Sequence, residues 1–325
     1  MKRIIISRTD SIGDVMLTLP LAVALRQKFP GAYIIFLGRT YTEPVIRCCS
    51  AVDEFADWDE IQHSVEKMRS LNADVILHVF PRSNIASMAR RAGTPLRIGT
   101  SHRLYHFLTC NKLINLGRKS SDLHEAQLNL KLGVALGLKE DFSIDELKEM
   151  NLLDKIPVLG EDGLINKSRR NIILHPSSRG SAREWHPDNF SALIRSLPAD
   201  KFKIFISGTK EEGEDLKAFI HAHSGVTDIT GKHDLSQFIS FISRCDALVA
   251  ASTGPLHIAA ALGIKAIGIF PPMRPIHKER WGPIGKKALA LSVDKSCSDC
   301  RKSGDCACMR LVSSESITKE LLLLL

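Results

Sequence analysis

Three short segments hold the side chains able to do chemistry. The first is Ser7-Arg8-Thr9-Asp10-Ser11-Ile12-Gly13-Asp14-Val15, with two carboxylates flanking a glycine turn. A carboxylate in a cleft can take a proton from an alcohol, which makes Asp14 a candidate general base and Asp10 its rival. Asp14 could equally be an acid that favours the first turn of a helix. Gly13 permits a tight turn and a close backbone approach. The segment is neither the G-x-G-x-x-G dinucleotide fingerprint nor a P-loop. The second segment runs from His175 to Pro187 and reads HPSSRGSAREWHP. Its small hydroxyls and glycine make an amide-rich loop suited to phosphate, and Arg179 and Arg183 can offer bidentate forks. Trp185 reads as the anchor of a core edge. The third segment, Ala250-Ala251-Ser252-Thr253-Gly254-Pro255-Leu256-His257, leaves a strand and opens a helix. Ser252 or Thr253 can cap that helix and Pro255 suits its first position. The free amides of such a helix start favour an anion. His175 and His257 have no carboxylate or cysteine at a ligand spacing, so no metal is expected there.

These segments need strand ends to hold them. RIIIS at 3–7 reads as a buried strand, followed by a periodic stretch over 15–28 in which Pro20 predicts a kink or a late start. Further strands are expected at 33–37, 51–55, 74–79 and 97–98, with helices over 60–71, 83–91 and 122–137. The second half repeats the pattern, with strands at 171–175, 203–207, 247–250, 266–270 and 288–291. Helices are expected there at 188–196, 211–223, 234–243 and 255–262, with a last one over 313–325. Short apolar strands alternating with amphipathic helices predict two α/β units, each built on a parallel sheet. Residues 139–169, with Pro157, Gly160 and Gly163, read as the linker, so the domains are set at 1–160 and 161–325.

The chain has 325 residues, 44% hydrophobic and 25% charged, an ordinary globular mix long enough for two domains. No apolar run approaches the roughly 18 residues of a membrane span. MKRIIISRTD returns to charge too soon for a secretory signal, so a cytoplasmic protein is expected. The net charge of +8 is uneven. Between Val75 and Ser121 stand Arg82, Arg90, Arg91, Arg97, Arg103, Lys112, Arg118 and Lys119, without one acid. Ordinary surfaces mix both signs, so this window predicts an anionic partner. Nucleic acid is not the expected one, because aromatics are only 6% and no stacking platform is visible. Cys297, Cys300, Cys306 and Cys308 follow C-x2-C-x5-C-x-C, a poor zinc spacing. Cys110 and Cys245 read as small buried hydrophobes.

Taken together, RTDSIGDVMLTLP, HPSS…REW, SGTKEE, ITGKHDLSQ, STGPLHIAAALG and IFPP…RWGP occur in the order of the ADP-heptose:lipopolysaccharide heptosyltransferases, glycosyltransferase family 9, and the chain resembles that family over nearly its whole length. The resemblance implies a GT-B fold, two Rossmann-like domains facing across a cleft, with the last helix crossing back to the first. It implies an inverting, metal-independent transfer of heptose from a nucleotide sugar such as ADP-heptose to the inner core of lipopolysaccharide. No cofactor is implied beyond that donor substrate. The partners would be the nucleotide sugar and an anionic glycolipid, with peripheral contact at the cytoplasmic face of the inner membrane. Asp14 matches the family's proposed base. Arg183 stands where a lysine often meets donor phosphate, and Ser177 and Ser178 match hydroxyls at the phosphates. Glu211 or Glu212 matches an acid on the ribose, and Thr253, Gly254 and His257 match the diphosphate-binding helix start. Asp10, Arg82 and Arg103 are the candidate acceptor contacts. At Ser252 the family commonly has Asp, which leaves open another nucleotide-sugar donor, or a non-catalytic nucleotide- or glycan-binding relative. A hydrolase or epimerase acting on a sugar nucleotide could use the same residues.

Overall fold

The computed structural model describes residues 2–118, 121–158, 160, 163–295, 297 and 306–325. The chain divides into two units, Met1–Lys155 and Ile156–Leu325, against an expected boundary at 160. The first holds β1 (Arg3–Ser7), β2 (Tyr33–Gly38), β3 (Glu54–Asp57), β4 (Val75–His78), β5 (Leu96–Thr100) and β6 (Lys112–Ile114). The second holds β7 (Arg170–His175), β8 (Phe202–Ile206), β9 (Val226–Asp228), β10 (Ala247–Ala251), β11 (Lys265–Ile269) and β12 (Ala288–Leu291).

Both sheets are wholly parallel and share one topology. The first runs β3-β2-β1-β4-β5-β6 and the second β12-β11-β10-β7-β8-β9. In each, the order reverses beside the first strand of the unit, between β1 and β4 and between β7 and β10. Open parallel sheets bind ligands outside the carboxyl ends of the strands at such a reversal. The loops after β1, β7 and β10 therefore leave their strands where this topology places a site.

Central strands are buried on both faces, which is why they are near-continuous runs of Ile, Leu, Val and Ala. Ile5, Ile35, Leu37 and Ile76 pack with Trp58, Ile85 and Met88 in the first unit. Ile172, Leu174, Val249 and Ile267 pack with Trp185, Phe190 and Leu193 in the second. Trp185 is a core anchor, as expected: it is edge-on to Phe190 at 4.8 Å and donates to the Val312 carbonyl at 3.0 Å. Cys306 and Cys308 join this core and Cys297 packs against it, while Cys300 lies outside the described residues. Cys110 and Cys245 are buried.

Pro20 gives the late helix start expected of it. The stretch over 15–28 is two helices, Ile12–Met16 and Leu19–Lys28, because Pro20 lacks an amide and takes a first-turn position. The edge strands β6 and β9, three residues each, have no run long enough to show a period. The last helix, Ser314–Leu322, packs on the helix Pro187–Ser196 and buries Ile317 and Leu321 in the core of the second unit. Among the described residues no helix is long and apolar enough to cross a membrane.

His78, at the end of β4, is fully buried, and neither ring nitrogen meets a hydrogen-bond partner among the described residues. Burial, with His106 5.6 Å away ring to ring, pushes its pKa down to about 3. The folded state thus refuses a proton that the unfolded chain accepts below about pH 6.5, and stability drains away as pH falls below that value. In His78→Leu, the loss of unfolding free energy between pH 7.5 and pH 5 should shrink by about 2 kcal/mol, read by denaturant titration at both values.

Candidate functional site

Arg8 follows β1 directly and its side chain is buried. Each nitrogen of its guanidinium meets a different carboxylate: Nε meets Asp10 at 2.6 Å, Nη1 meets Glu125 at 3.2 Å and Nη2 pairs with Asp14. Burial alone would weaken the guanidinium's hold on its proton, but the charges of Asp14, Asp10 and Glu125 outweigh it and raise its pKa. Glu125 also pairs with Arg118, whose Nη2 donates to the Val79 carbonyl at 3.0 Å and to Asn129 Oδ1 at 2.9 Å. Asn129 in turn donates to the Leu17 carbonyl at 2.8 Å. The loop after β1, the loop after β4 and the helix Glu125–Lys131 are thereby tied to one charged knot.

Asp14 sits in the first turn of the helix Ile12–Met16, which Ser11 caps. The Ser11 hydroxyl donates to Asp14 Oδ2 at 2.5 Å, so one carboxylate oxygen faces a hydroxyl and the other a guanidinium. Asp14 is thus a first-turn acid of the helix that Ser11 caps, held on two sides and with 16% of its side-chain surface open. Asp10 belongs to the same knot. Burial, helped by the charge of Asp14 and opposed by Arg8, pushes Asp10 up to about 6. Arg82 is exposed before the helix Ser83–Arg91 and lies over the Phe80 ring, which also carries Arg8 on a face. Arg103 is exposed on the loop after β5.

In the second unit the loop after β7 turns through Arg179 and Gly180, both in the left-handed region. Ser178 is buried and closes the loop on itself: its amide and hydroxyl donate to Glu184 Oε1 at 2.6 and 2.9 Å. Ser177 is half-buried beside it and Arg183 is half-buried further along. Arg179 pairs with Glu211 at 2.6 Å, on the exposed start of the helix Lys210–His221. Glu212 is buried and accepts the Thr209 amide at 2.7 Å in a capping box, so Glu211 is the exposed acid of the pair. His175, bonded to the Ser207 hydroxyl at 2.9 Å, is pushed down by burial to about 4 and stays neutral at physiological pH.

The helix Gly254–Ala261 opens after β10 with Pro255 in its first turn. Thr253 holds the N-cap position without capping. Its hydroxyl is buried, in a residue 5% exposed, and has no hydrogen-bond partner among the described residues. A buried hydroxyl without a partner is costly unless something fills its place. Ser252 is half-buried in front of it and His257 is buried in the first turn. Within each unit, then, the predicted residues converge: Asp10 and Asp14 in the first, and Ser252, Thr253, Gly254 and His257 in the second. Arg8 and Glu125 had no predicted role, and Arg118, expected among the cations for an anionic partner, pairs with Glu125 instead. The one hint was Arg8 between two acids in the first motif, because Glu125 lies 117 residues further along. Among the described residues no group of three His, Cys, Asp or Glu side chains is placed to hold a metal.

In Arg8→Met three carboxylates would keep their places with only Arg118 to balance them. Breaking a buried ion cluster from one side costs about 3–5 kcal/mol. Urea unfolding at pH 7.5 should show a loss of that order, partly recovered at pH 5, where Asp10 takes up a proton.

Glycosyltransferase family 9 (heptosyltransferase) matches residues 63–308. A Haemophilus influenzae protein named "Putative glycosyltransferase" is 25% identical over 322 residues, covering 94% of this chain and 90% of its own. The crystal structure of a family 9 glycosyl transferase from Veillonella parvula superposes with a TM-score of 0.80 at 18% identity, covering 99% of this chain and 97% of that one. The E. coli ADP-heptose lipopolysaccharide heptosyltransferase II structure gives 0.76 at 19% identity, covering 100% and 98%. The two six-stranded parallel units are therefore those of a GT-B fold, and the chain belongs to glycosyltransferase family 9, the heptosyltransferases.

Proposed function

We propose that the protein transfers a heptose from a nucleotide-diphosphate sugar of the ADP-heptose class to the inner core of lipopolysaccharide, with inversion and without a metal. The observation that carries this reading is the Asp14 carboxylate, aligned by Ser11 and Arg8 at the β1 switch point and still open on its remaining side. Membership of the family and the name of the E. coli structural relative support the donor and acceptor classes.

Asp14 accepts the proton of an acceptor hydroxyl as the oxygen forms its bond to the anomeric carbon from the face opposite the leaving group. The bond from that carbon to the diphosphate oxygen breaks, and its electron pair leaves with the nucleoside diphosphate. The growing charge meets the Arg183 guanidinium, the Ser177 hydroxyl, the Thr253 hydroxyl and the amides at Gly254. Donors aimed beforehand at developing charge supply a large part of such catalysis. The unpartnered Thr253 hydroxyl supports this placement, because a phosphate oxygen would satisfy it. Arg183 carries the cationic task that a divalent ion performs elsewhere. Ser252 keeps a hydroxyl in place of the usual carboxylate, and the helix-start amides do not depend on that side chain. Glu211 is set at the ribose, which requires Arg179 to release it or to share it. Asp10, Arg82 and Arg103 hold the anionic acceptor.

Asp14→Asn should lower transfer to a truncated lipopolysaccharide acceptor by about 1,000-fold or more, since an amide cannot take the proton, with donor affinity unchanged by calorimetry. Arg183→Gln should do the converse and weaken donor binding about 10- to 100-fold. Near-wild-type turnover in Asp14→Asn would reject the assignment.

The pH profile gives a separate test. Above about pH 6 Asp10 is ionised on Arg8, and below it the Asp10 proton removes one of the three charges that fix the guanidinium. Transfer rate should therefore fall on acidification with a limb near pH 6, and Asp10→Asn should lose that limb.

A further inference from the structure

The turn after β5 is built inside out. In most short helices of a globular unit the apolar side chains face the core. Here the segment Leu104–Cys110, with its helical turn His106–Thr109, buries His106, Thr109 and Cys110. Leu104, Phe107 and Leu108 are left 88%, 59% and 73% exposed. The seat is specific. His106 Nδ1 lies 3.0 Å from the Thr100 amide, over Gly99, where an added Cβ would come within 2.5 Å of that nitrogen. Arg90 donates to the Leu108 carbonyl and Arg97 to the Thr109 carbonyl, each at 2.7 Å. Polar contacts from within therefore clamp the turn with its apolar side chains outward.

The surroundings are cationic. Arg82, Arg90, Arg91, Arg103 and Lys112 are exposed in the same acid-free stretch. The segment leaves the carboxyl end of β5, where His106 meets Thr100, and runs back along the strand to its amino end, where Arg97 meets Thr109. Three apolar tips ringed by cations match one partner chemistry, an anionic lipid surface. Side chains entering the acyl boundary and basic residues meeting the headgroups act together there, each basic residue adding about fivefold in affinity.

We infer that Leu104, Phe107 and Leu108 form a membrane-docking tip that enters an anionic bilayer surface, with the surrounding arginines and Lys112 on its headgroups. This goes beyond charge attraction to a leaflet, because it requires apolar insertion. It rests on the proposed function only in giving the docked unit a lipid-borne acceptor, and its test needs no acceptor.

The full chain should co-sediment with phosphatidylglycerol-containing vesicles, weakly with pure phosphatidylcholine vesicles, and less as salt rises. The Leu104→Ser/Phe107→Ser/Leu108→Ser variant should bind anionic vesicles at least about tenfold more weakly, with unchanged thermal melting. Its transfer to a delipidated, water-soluble acceptor should be unchanged. Arg90→Gln/Arg91→Gln should weaken vesicle binding and flatten its salt dependence. Leu108→Trp should show a blue-shifted emission when anionic vesicles are added. Equal vesicle binding by the triple serine variant, or no blue shift from Trp at 108, would overturn the inference. So would a dimer in solution that the triple variant converts to monomer, since the tip would then be a contact between copies. Vesicle binding with no transfer by any form of the protein would count against the proposed activity and leave the docking tip standing.

Discussion

One buried guanidinium organises the carboxylates that follow β1 in the first unit. Arg8 has three faces for hydrogen bonding and spends them on three carboxylates, Asp10, Asp14 and Glu125. Arg118 supplies the second cation, so three negative charges face two positive ones. The cluster is one charge short of neutral, and Asp10, pushed up by burial, is where a proton returns first. That imbalance suits a site that must accept a proton. Without Arg8 the three carboxylates would have Arg118 alone to balance them. The reach of the knot matters as much as its charge. The helix Glu125–Lys131 is anchored to the β1 loop through Glu125 and through Asn129 on the Leu17 carbonyl. The geometry of Asp14 is thus set by residues more than a hundred positions away.

The sheet order explains why the chemistry collects where it does. Both units use the same arrangement, and in both the reversal of strand order opens a crevice beside the first strand. Nature of the strand is secondary to its end: Ile4, Ile5 and Ile6 only bury β1, while Ser7 and Arg8 begin the site. In the second unit β7 ends in a buried neutral histidine and β10 ends before a helix start with an unsatisfied hydroxyl. The first unit places ionised side chains at its switch point, and the second places backbone amides and hydroxyls. That division fits a proton acceptor in one and an anion seat in the other.

Much of this was legible in the sequence, and the failures have physical causes. Most central strands announced themselves as short apolar runs, because a strand buried on both faces is largely apolar, while β5 with Arg97 inside it showed only at 97–98. β6 and β9 did not, because a three-residue edge strand exposes much of its length and needs no pattern. Asp14 could be singled out from its place after a strand and a glycine, and it lies in the Arg8 cluster. Glu125 was not, since a single acid before a helical stretch looks like any first-turn acid. Ser178 shows the opposite error: a hydroxyl in a glycine-containing loop suggests phosphate, yet its amide and hydroxyl are bonded to Glu184. Local sequence gives the donors of a loop but not which of them the loop consumes in closing.

The acid-free basic window shows why charge counted along a chain is not charge presented to a partner. Two of its arginines are spent inside the fold. Arg118 balances Glu125, and Arg97 donates to the carbonyls of Thr94 and Thr109. The exposed remainder is smaller than the count: Arg82 and Arg103 stand on the loops after β4 and β5, Arg90 and Arg91 end the helix Ser83–Arg91, and Lys112 opens β6. There they flank the apolar tip, and Arg82 shares the Phe80 ring with Arg8. A continuous line of contacts thus runs from the proton-accepting knot to the cationic rim. An anionic acceptor drawn in along that rim would meet the exposed arginines first and the Asp14 carboxylate last.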